Sequence, residues 1–419
     1  MRKLKIAIIG SGISGLSCSW LLEKNHKVDL YEKNSYFGGH SNTQKIYINN
    51  KSINVDTGFI VFNNSNYPNL CNLFDALNIK SYESDMSFGV SINRENLEYS
   101  GTNLSTIFAQ KKNILKKKFL KMLLEIFRFN NIVEKDKEKY PNYTIEDYLT
   151  QKGYTKYFKY NHLYPMAASI WSSSFQDIKK YPFSRFVDFF SNHGLLKIFN
   201  RPKWRTVLNG SKAYVDKIIK LENLNTFKGC IVKVTKITKK SIILSINGKI
   251  KKYDHLVIAV HSDQVKNIIQ LSPKKKKIFS QIRYKKNTVY LHSDESLMPK
   301  LKKVWASWNY LDDGEKKNDL TVTYWMNKLQ KLDTKKNIFV SLNPSRKPLK
   351  KKTFKIIHYE HPTFNLQTFI NQKKIEDLQG NKKIWFCGAY LGYGFHEDGI
   401  KSGLKVARQI IQFNKYAKD

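Results

Sequence analysis

Residues 4 to 40 constrain this chain more than any other stretch. They read LKIAIIGSGISGLSCSWLLEKNHKVDLYEKNSYFGGH. Ile6, Ala7, Ile8 and Ile9 form a short unbroken apolar run, which predicts a strand buried on both faces of a parallel sheet. Gly10, Gly12 and Gly15 follow as G-x-G-x-x-G where strand should become helix. The first glycine permits the tight turn, the second lets backbone N–H groups approach a pyrophosphate, and the third lets helix pack on strand. A phosphate sits well at the positive end of such a helix. Ile13, Leu16, Trp20 and Leu21 supply its apolar face, and Asn25 and His26 break the pattern. Val28 to Tyr31 predict the second strand, closed by Glu32, whose carboxylate is placed to accept both ribose hydroxyls. Ser14 at the helix start and Lys33 after the acid join the candidate set. Gly38 and Gly39 add a second close approach of backbone to the pyrophosphate, beyond what a plain NAD fingerprint needs.

With 419 residues, 41% hydrophobic and 13% aromatic, the chain predicts a globular protein of two or three domains. Cys18, Cys71, Cys230 and Cys387 are scattered without C-x-x-C, so neither a disulfide framework nor a zinc site is expected, and a reducing cytoplasm is. No apolar run reaches the length of a membrane-spanning helix. The net charge of +39 has two readings, a compositional drift toward lysine or work against an anionic membrane. Nothing matches a nucleic-acid-binding module.

Further along, 46–62 predict a hairpin and Pro68 a helix start. Over 104–129, Ile107, Phe108, Leu115, Phe119, Met122, Leu123, Ile126 and Phe127 recur at helical spacing among Lys111, Lys112, Lys116, Lys117, Lys118 and Lys121. One basic amphipathic helix is expected, either covering the core or lying in a membrane interface. Aromatic-rich helices continue to 200. An α/β portion returns at Trp204, with a hairpin turn at Asn247-Gly248 and a buried strand from His255 to Val260. Residues 282–345 are strand-like, a helix is expected near 371–378, and the chain closes with strand, glycine and a final helix in which Gly403 and Ala407 permit close packing.

This interleaving resembles the FAD-dependent amine oxidase and phytoene desaturase superfamily over the whole chain. Within it the match is to a bacterial family described as flavin-containing amine oxidase-like. The residues that carry it are VDTGFIVFN (55–63), SDMSFGVS (84–91), SWNY (307–310), TYWMNKLQ (323–330) and GAYLGYGFHEDG (388–399). The resemblance implies an α/β fold, a Rossmann-like FAD-binding domain with an inserted α+β substrate domain on a mixed sheet and a helical segment. Segments 1–80, 204–265 and 371–419 would form the first, and 81–203 with 266–370 the second. It also implies noncovalent FAD, with Gly10, Gly12 and Gly15 on the diphosphate, Glu32 on the ribose, Val232 near adenine through its backbone, Gly388 beside the ribityl chain, and the helix from Glu397 and Asp398 aimed at the flavin ring.

Three departures stand out. Asn34 and His40 occupy positions where amine oxidases of the superfamily carry arginines, so His40 becomes a candidate phosphate neighbour. Phe395 replaces a tyrosine of the aromatic cage. The lysine that in many relatives holds a water near the flavin is not identifiable. Trp308, Tyr310, Tyr324, Trp325 and Phe395 are the expected walls of a dry substrate site. Of His40, His261, His292, His361 and His396, only His396 lies inside a cofactor motif, which makes it the candidate for tuning the flavin or moving a proton. The catalytic set is therefore His396, Phe395, Tyr324 and Trp308, with no metal site. Three functions follow: hydrogen removal or relocation on a hydrophobic, acyl-like lipid, with peripheral contact to an anionic membrane from the cytoplasm; amine oxidation to an imine with hydrogen peroxide; or a non-enzymatic lipid escort.

Overall fold

The computed structural model describes residues 3–197, 200–314 and 320–416, the side chain of Tyr416 excepted. Lys5–Ile9 is a strand whose last four residues are buried, and it is the centre of a five-stranded sheet. The order is Leu224–Phe227, Lys27–Tyr31, Lys5–Ile9, His255–Ile258, Ile384–Phe386, every neighbour parallel. The chain builds outward to one side of Lys5–Ile9 and returns on the other beside it, so the order reverses between Lys5–Ile9 and His255–Ile258. Parallel sheets hold ligands outside the carboxyl ends of the strands at such a reversal.

The helix Ile13–Leu22 crosses from this strand to Lys27–Tyr31. Its buried set is broader than the expected stripe: Ser14, Ser17, Cys18, Ser19 and Leu22 are buried, while Trp20 and Leu21 are only half-buried. The cause is the closing helix, His396–Tyr416, which packs on it at Gly403. A Cβ added at Gly403 would lie 2.2 Å from the Ser14 carbonyl oxygen and 2.4 Å from Ser17 Oγ. Ala407 is fully buried one turn on.

A second sheet of seven strands runs Thr353–Pro362, Tyr284–His292, Phe339–Leu342, Val322–Trp325, Trp308–Asp312, Phe88–Ile92, Leu97–Ser100. It is mixed, because Trp308–Asp312 pairs parallel with Phe88–Ile92 and the other neighbours pair antiparallel. Helices between Lys117 and Asn192 cover it, and Phe119, Tyr148, Phe158, Tyr164, Phe183 and Phe186 are fully buried there. The Asn247-Gly248 turn is as expected, with positive φ at both residues, in a separate meander spanning Val232–Tyr253.

Two sequence expectations need correction. The helix over 104–129 is three pieces: a turn at Leu104–Ile107 closed by an Asn103–Thr106 capping box, a 3-10 turn at Lys111–Leu115, and a long helix Lys117–Asp136. Lys116 is extended and breaks the run, and the buried Asn113 side chain donates to Gln110 Oε1 instead of continuing a helical face. The helix near 371–378 begins earlier, at Leu366, because Asn365 caps it with Thr368, an N-x-x-T signal that marks a helix start.

Replacing Gly403 by valine should therefore push two helices apart and destabilise the protein by about 3 kcal/mol or more in urea unfolding. A valine variant that unfolds at the wild-type midpoint would remove this contact from its place in the fold.

Candidate functional site

The glycines of the first turn do different work. Gly10 has φ of 104°, and a Cβ there would meet the Ala259 carbonyl oxygen at 2.5 Å, so the end of the first strand and the end of His255–Ile258 touch backbone to backbone. At Gly15 a Cβ would lie 1.9 Å from the Gly10 carbonyl oxygen. Gly12 is the opposite case: its φ of −66° suits any residue, and a Cβ there would meet nothing within 4 Å. It faces open space at the start of a helix whose first N–H groups have no side-chain cap. Gly39, at φ of 59°, brings its own missing Cβ within 3.2 Å of Gly12 Cα, and the Gly38 N–H donates to the Ser11 carbonyl at 3.1 Å. Both glycine pairs thus form one backbone cradle with its opening at Gly12, a ready seat for an anion.

Glu32 lies under this cradle. Oε2 accepts from the Ser11 N–H (3.0 Å) and hydroxyl (2.6 Å), and Oε1 accepts from the Asn34 N–H (2.8 Å). A carboxylate offers about four acceptor positions, so roughly one remains. Three of the Glu32 acceptor positions are thus taken by protein donors. Lys33 is exposed and Ser14 buried. The Val234 N–H donates to the Ile268 carbonyl, away from the neighbouring strand, so the Val232 N–H, two residues earlier, lies on the same outer edge. Gly388 is held by Ser402 Oγ, which bonds both its N–H and its carbonyl.

The closing helix brings its first residues to the same region. Both Glu397 oxygens accept from the start of Pro68–Ala76: Asn69 N–H (3.0 Å), Asn69 Nδ2 (2.6 Å) and Leu70 N–H (3.1 Å). Asp398 accepts from the Phe395 N–H at 2.9 Å and caps its own helix. These carboxylates hold helices, which leaves the helix backbone as their only route to a cofactor. Burial pushes Asp398 up to about 6.

His396 stacks on Phe59 (3.8 Å between ring centroids, 8° between planes), and its Nε2 lies 2.7 Å from the Tyr214 hydroxyl and 3.1 Å from Ser41 Oγ. Burial drives its pKa down to about 3, so the ring is neutral. His40 and His361 lie 5.0 Å apart, His40 stacks on Tyr359, and His261 stacks on Tyr284. Burial, then the neighbouring histidines His361, His261 and His396, hold His40 well below its ordinary range. The fold therefore assembles four of the five histidines considered from sequence. His292 is apart, bonding Ser341 Oγ and the Asp294 N–H inside the mixed sheet. No spacing in the sequence announces this cluster, because its members come from four separate segments.

The expected aromatic wall divides. Trp308 and Tyr324 are cross-strand partners, edge-on at 4.8 Å, with the Trp308 indole N–H buried and unpartnered. Tyr310 is buried against Phe175. Trp325 points to the other face of its strand, toward Trp305 and Phe339, and leaves the set. Phe395 stacks on Phe189 at 4.6 Å.

Residues 8–77 match the NAD(P)-binding Rossmann-like domain model. A stretch of 61 residues is 36% identical to zeta-carotene desaturase of Solanum lycopersicum and 38% identical to that of Zea mays, covering 14% of this chain and a tenth of each desaturase. Over 98% of both chains, the structure matches a CLA-producing fatty acid isomerase from P. acnes with a TM-score of 0.68 at 14% identity. The chain has the fold of that isomerase. Within that fold, cyclohexylamine oxidase from Brevibacterium oxydans IH-35A matches 99% of this chain and 100% of its own at a TM-score of 0.67 and 12% identity.

The buried histidines set the acid limit of this fold. Burial lowers His162, His193, His255, His292 and His361 to about 4, and His396 to about 3. Below about pH 6.5 the unfolded chain binds protons that the native state refuses, so stability falls as pH drops toward 4. Asp56 and Asp398, raised to about 6, and Glu397, raised by burial, act in the opposite sense, but these three groups oppose six. The urea midpoint should fall steadily from pH 7.5 to 5, by up to roughly 1 kcal/mol per pH unit for each buried histidine. A midpoint that stays flat or rises over that interval would contradict the neutral, buried state of these rings.

Proposed function

We infer that this chain is an FAD-dependent oxidoreductase that removes or relocates hydrogen on a hydrophobic, acyl-like substrate. The observation that carries the substrate class is that the carboxylates nearest His396, those of Asp56, Glu397 and Asp398, are engaged by protein donors. Asp56 is fully buried and accepts from Thr43, Ser211 and Gln330, while Glu397 and Asp398 cap helices. The histidines are neutral, and aromatic rings supply the remaining surface. A cationic amine would lose its hydration there without a counter-charge. The names of two proteins matched above, a fatty acid isomerase and a carotene desaturase, lend support to a hydrophobic substrate.

The residues fit FAD. The open face at Gly12 would take the diphosphate at the helix start, Glu32 a ribose hydroxyl, and the outer edge at Val232 the adenine. FAD supplies the hydride acceptor. Buried polar atoms without partners, His40 Nε2, Ser262 Oγ and the Tyr390 hydroxyl, are donors and acceptors of the kind a polar cofactor would satisfy. Trp308, Tyr324 and Phe395 exclude water from the substrate. The start of His396–Tyr416 presents a positive helix end, and neutral His396, fixed by Tyr214 and Ser41, holds its ring without adding charge.

Gly12→Val and Gly15→Ala separate cofactor from fold. Gly12→Val should give a folded protein that purifies without yellow flavin absorbance near about 450 nm, since the new side chain enters only the open space. Gly15→Ala should fail in folding itself, because its Cβ overlaps the Gly10 carbonyl. A flavin-replete Gly12→Val protein would overturn the diphosphate assignment.

The substrate class is tested by anaerobic incubation of purified protein with unsaturated fatty acids and acyl phospholipids and, separately, with polyamines and aromatic monoamines. A new double bond with matching bleaching of the flavin, or a shifted double bond with no net bleaching, is the expected result. Bleaching by amines alone, with acyl chains unchanged, would assign amine oxidation instead.

A further inference from the structure

The long helix Lys117–Asp136 turns two apolar faces outward and inward at once. Phe119, Met122, Phe129 and Val133 are buried in the core, as one stripe of an amphipathic helix should be. Leu120, Leu124 and Phe127 lie on the opposite side and are 39%, 72% and 57% exposed. The turn just before the helix adds Ile114 at 51% and Leu115 at 86%. Core packing explains none of these five. An ordinary surface helix would carry polar residues there.

Cations surround them. Lys111, Lys112, Lys117, Lys118 and Lys121 are all exposed, with Lys116 half-buried, so that Ile114-Leu115 project between two lysine clusters and Leu124 lies two turns beyond Lys117 and one beyond Lys121. The one acid between residues 111 and 128 is Glu125, buried and accepting from the Thr155 N–H and hydroxyl. The exposed surface of this segment is therefore apolar at its centre, positive around it, and free of exposed acidic side chains.

The geometry points to this surface, Lys111 to Phe127, as the docking face for an anionic lipid bilayer, with Ile114, Leu115, Leu120, Leu124 and Phe127 entering the interface and the lysines meeting lipid phosphates. Apolar residues at the centre gain from leaving water, and cations gain from the negative surface potential, so the two terms add only on such a membrane. A second copy of the chain is a poor occupant, because a self-complementary contact would oppose lysine to lysine. Nucleic acid would engage the lysines but leave the leucines without a partner. The surface stands independently of the flavin reading, since vesicle binding is measured without turnover.

The test is sedimentation of the full chain with vesicles of phosphatidylcholine and phosphatidylglycerol at 3:1 and of phosphatidylcholine alone, in 0.1 M salt. Wild type should bind the mixed vesicles at least tenfold more tightly than the neutral ones. A Leu115→Ser/Leu124→Ser variant and a Lys117→Glu/Lys118→Glu/Lys121→Glu variant should each lose at least tenfold; both alter exposed side chains, and circular dichroism checks that they fold. Lys274→Glu/Lys276→Glu/Lys277→Glu, three exposed lysines of another helix, should bind within about twofold of wild type. Unchanged binding by the leucine variant, or equal loss in the control, would mean that the +39 charge alone attracts vesicles and would overturn the proposal. So would a dimer in light scattering that the leucine variant abolishes, or binding to duplex DNA that outcompetes the vesicles.

Discussion

The architecture depends on how closely backbone can approach backbone between Gly10 and Gly15. Gly15 lets the first helix lie against the turn that launches it, and Gly10 lets the first strand meet the end of His255–Ile258. Gly403 extends the same closeness to the closing helix. A methyl group at any of the three would overlap a carbonyl oxygen, and the strand order, the crevice and the cradle at Gly12 would separate together. The seat is thus a by-product of packing that has no room for side chains, with a single glycine left facing outward.

One buried and two half-buried carboxylates then tie the distant segments to that frame. Asp56 joins the Thr43–Ile48 and Lys51–Asp56 hairpin to Ser211 and to Gln330, which ends the short helix Met326–Leu329 between two strands of the mixed sheet. Asp85 accepts from Ser307 Oγ and the Ser87 N–H, with Lys328 Nζ at 3.5 Å. Glu397 reaches the Pro68–Ala76 helix. Each replaces water by fixed donors, and removing one partner would leave its charge uncompensated. This also explains why VDTGFIVFN, SDMSFGVS and TYWMNKLQ are such unusual strings: they specify two polar junctions, at Asp56 and Asp85, as much as any chemistry.

Local signals in the sequence were enough to read the dinucleotide half of the molecule. Apolar runs, glycine spacing and the position of Glu32 all act within about thirty residues, and the structure keeps them together. The histidine cluster was not legible, since His40, His261, His361 and His396 meet only through the topology. The partners of Glu397 and Asp398 were not legible for a related reason: a motif names residue types, while what an acid accepts depends on which backbone N–H groups arrive beside it. Trp325 was miscast because a strand alternates faces, so adjacent aromatic residues cannot share a wall. At 104–129 the helical period was real, but the extended Lys116 and the side-chain bond of Asn113 to Gln110 broke it.

The parallel sheet receives its fifth strand from Ile384–Phe386, and the first helix receives its cover from His396–Tyr416. During synthesis, at about 5 to 20 residues per second, the first helix and the strand before it emerge early and wait for more than 370 residues before Gly403 reaches Ser14. Throughout that interval Ser14 and Ser17, which meet Gly403 and Ile400 in the finished fold, lack their cover. A chain still on the ribosome therefore cannot close its parallel-sheet domain until residues 396–416 have been made.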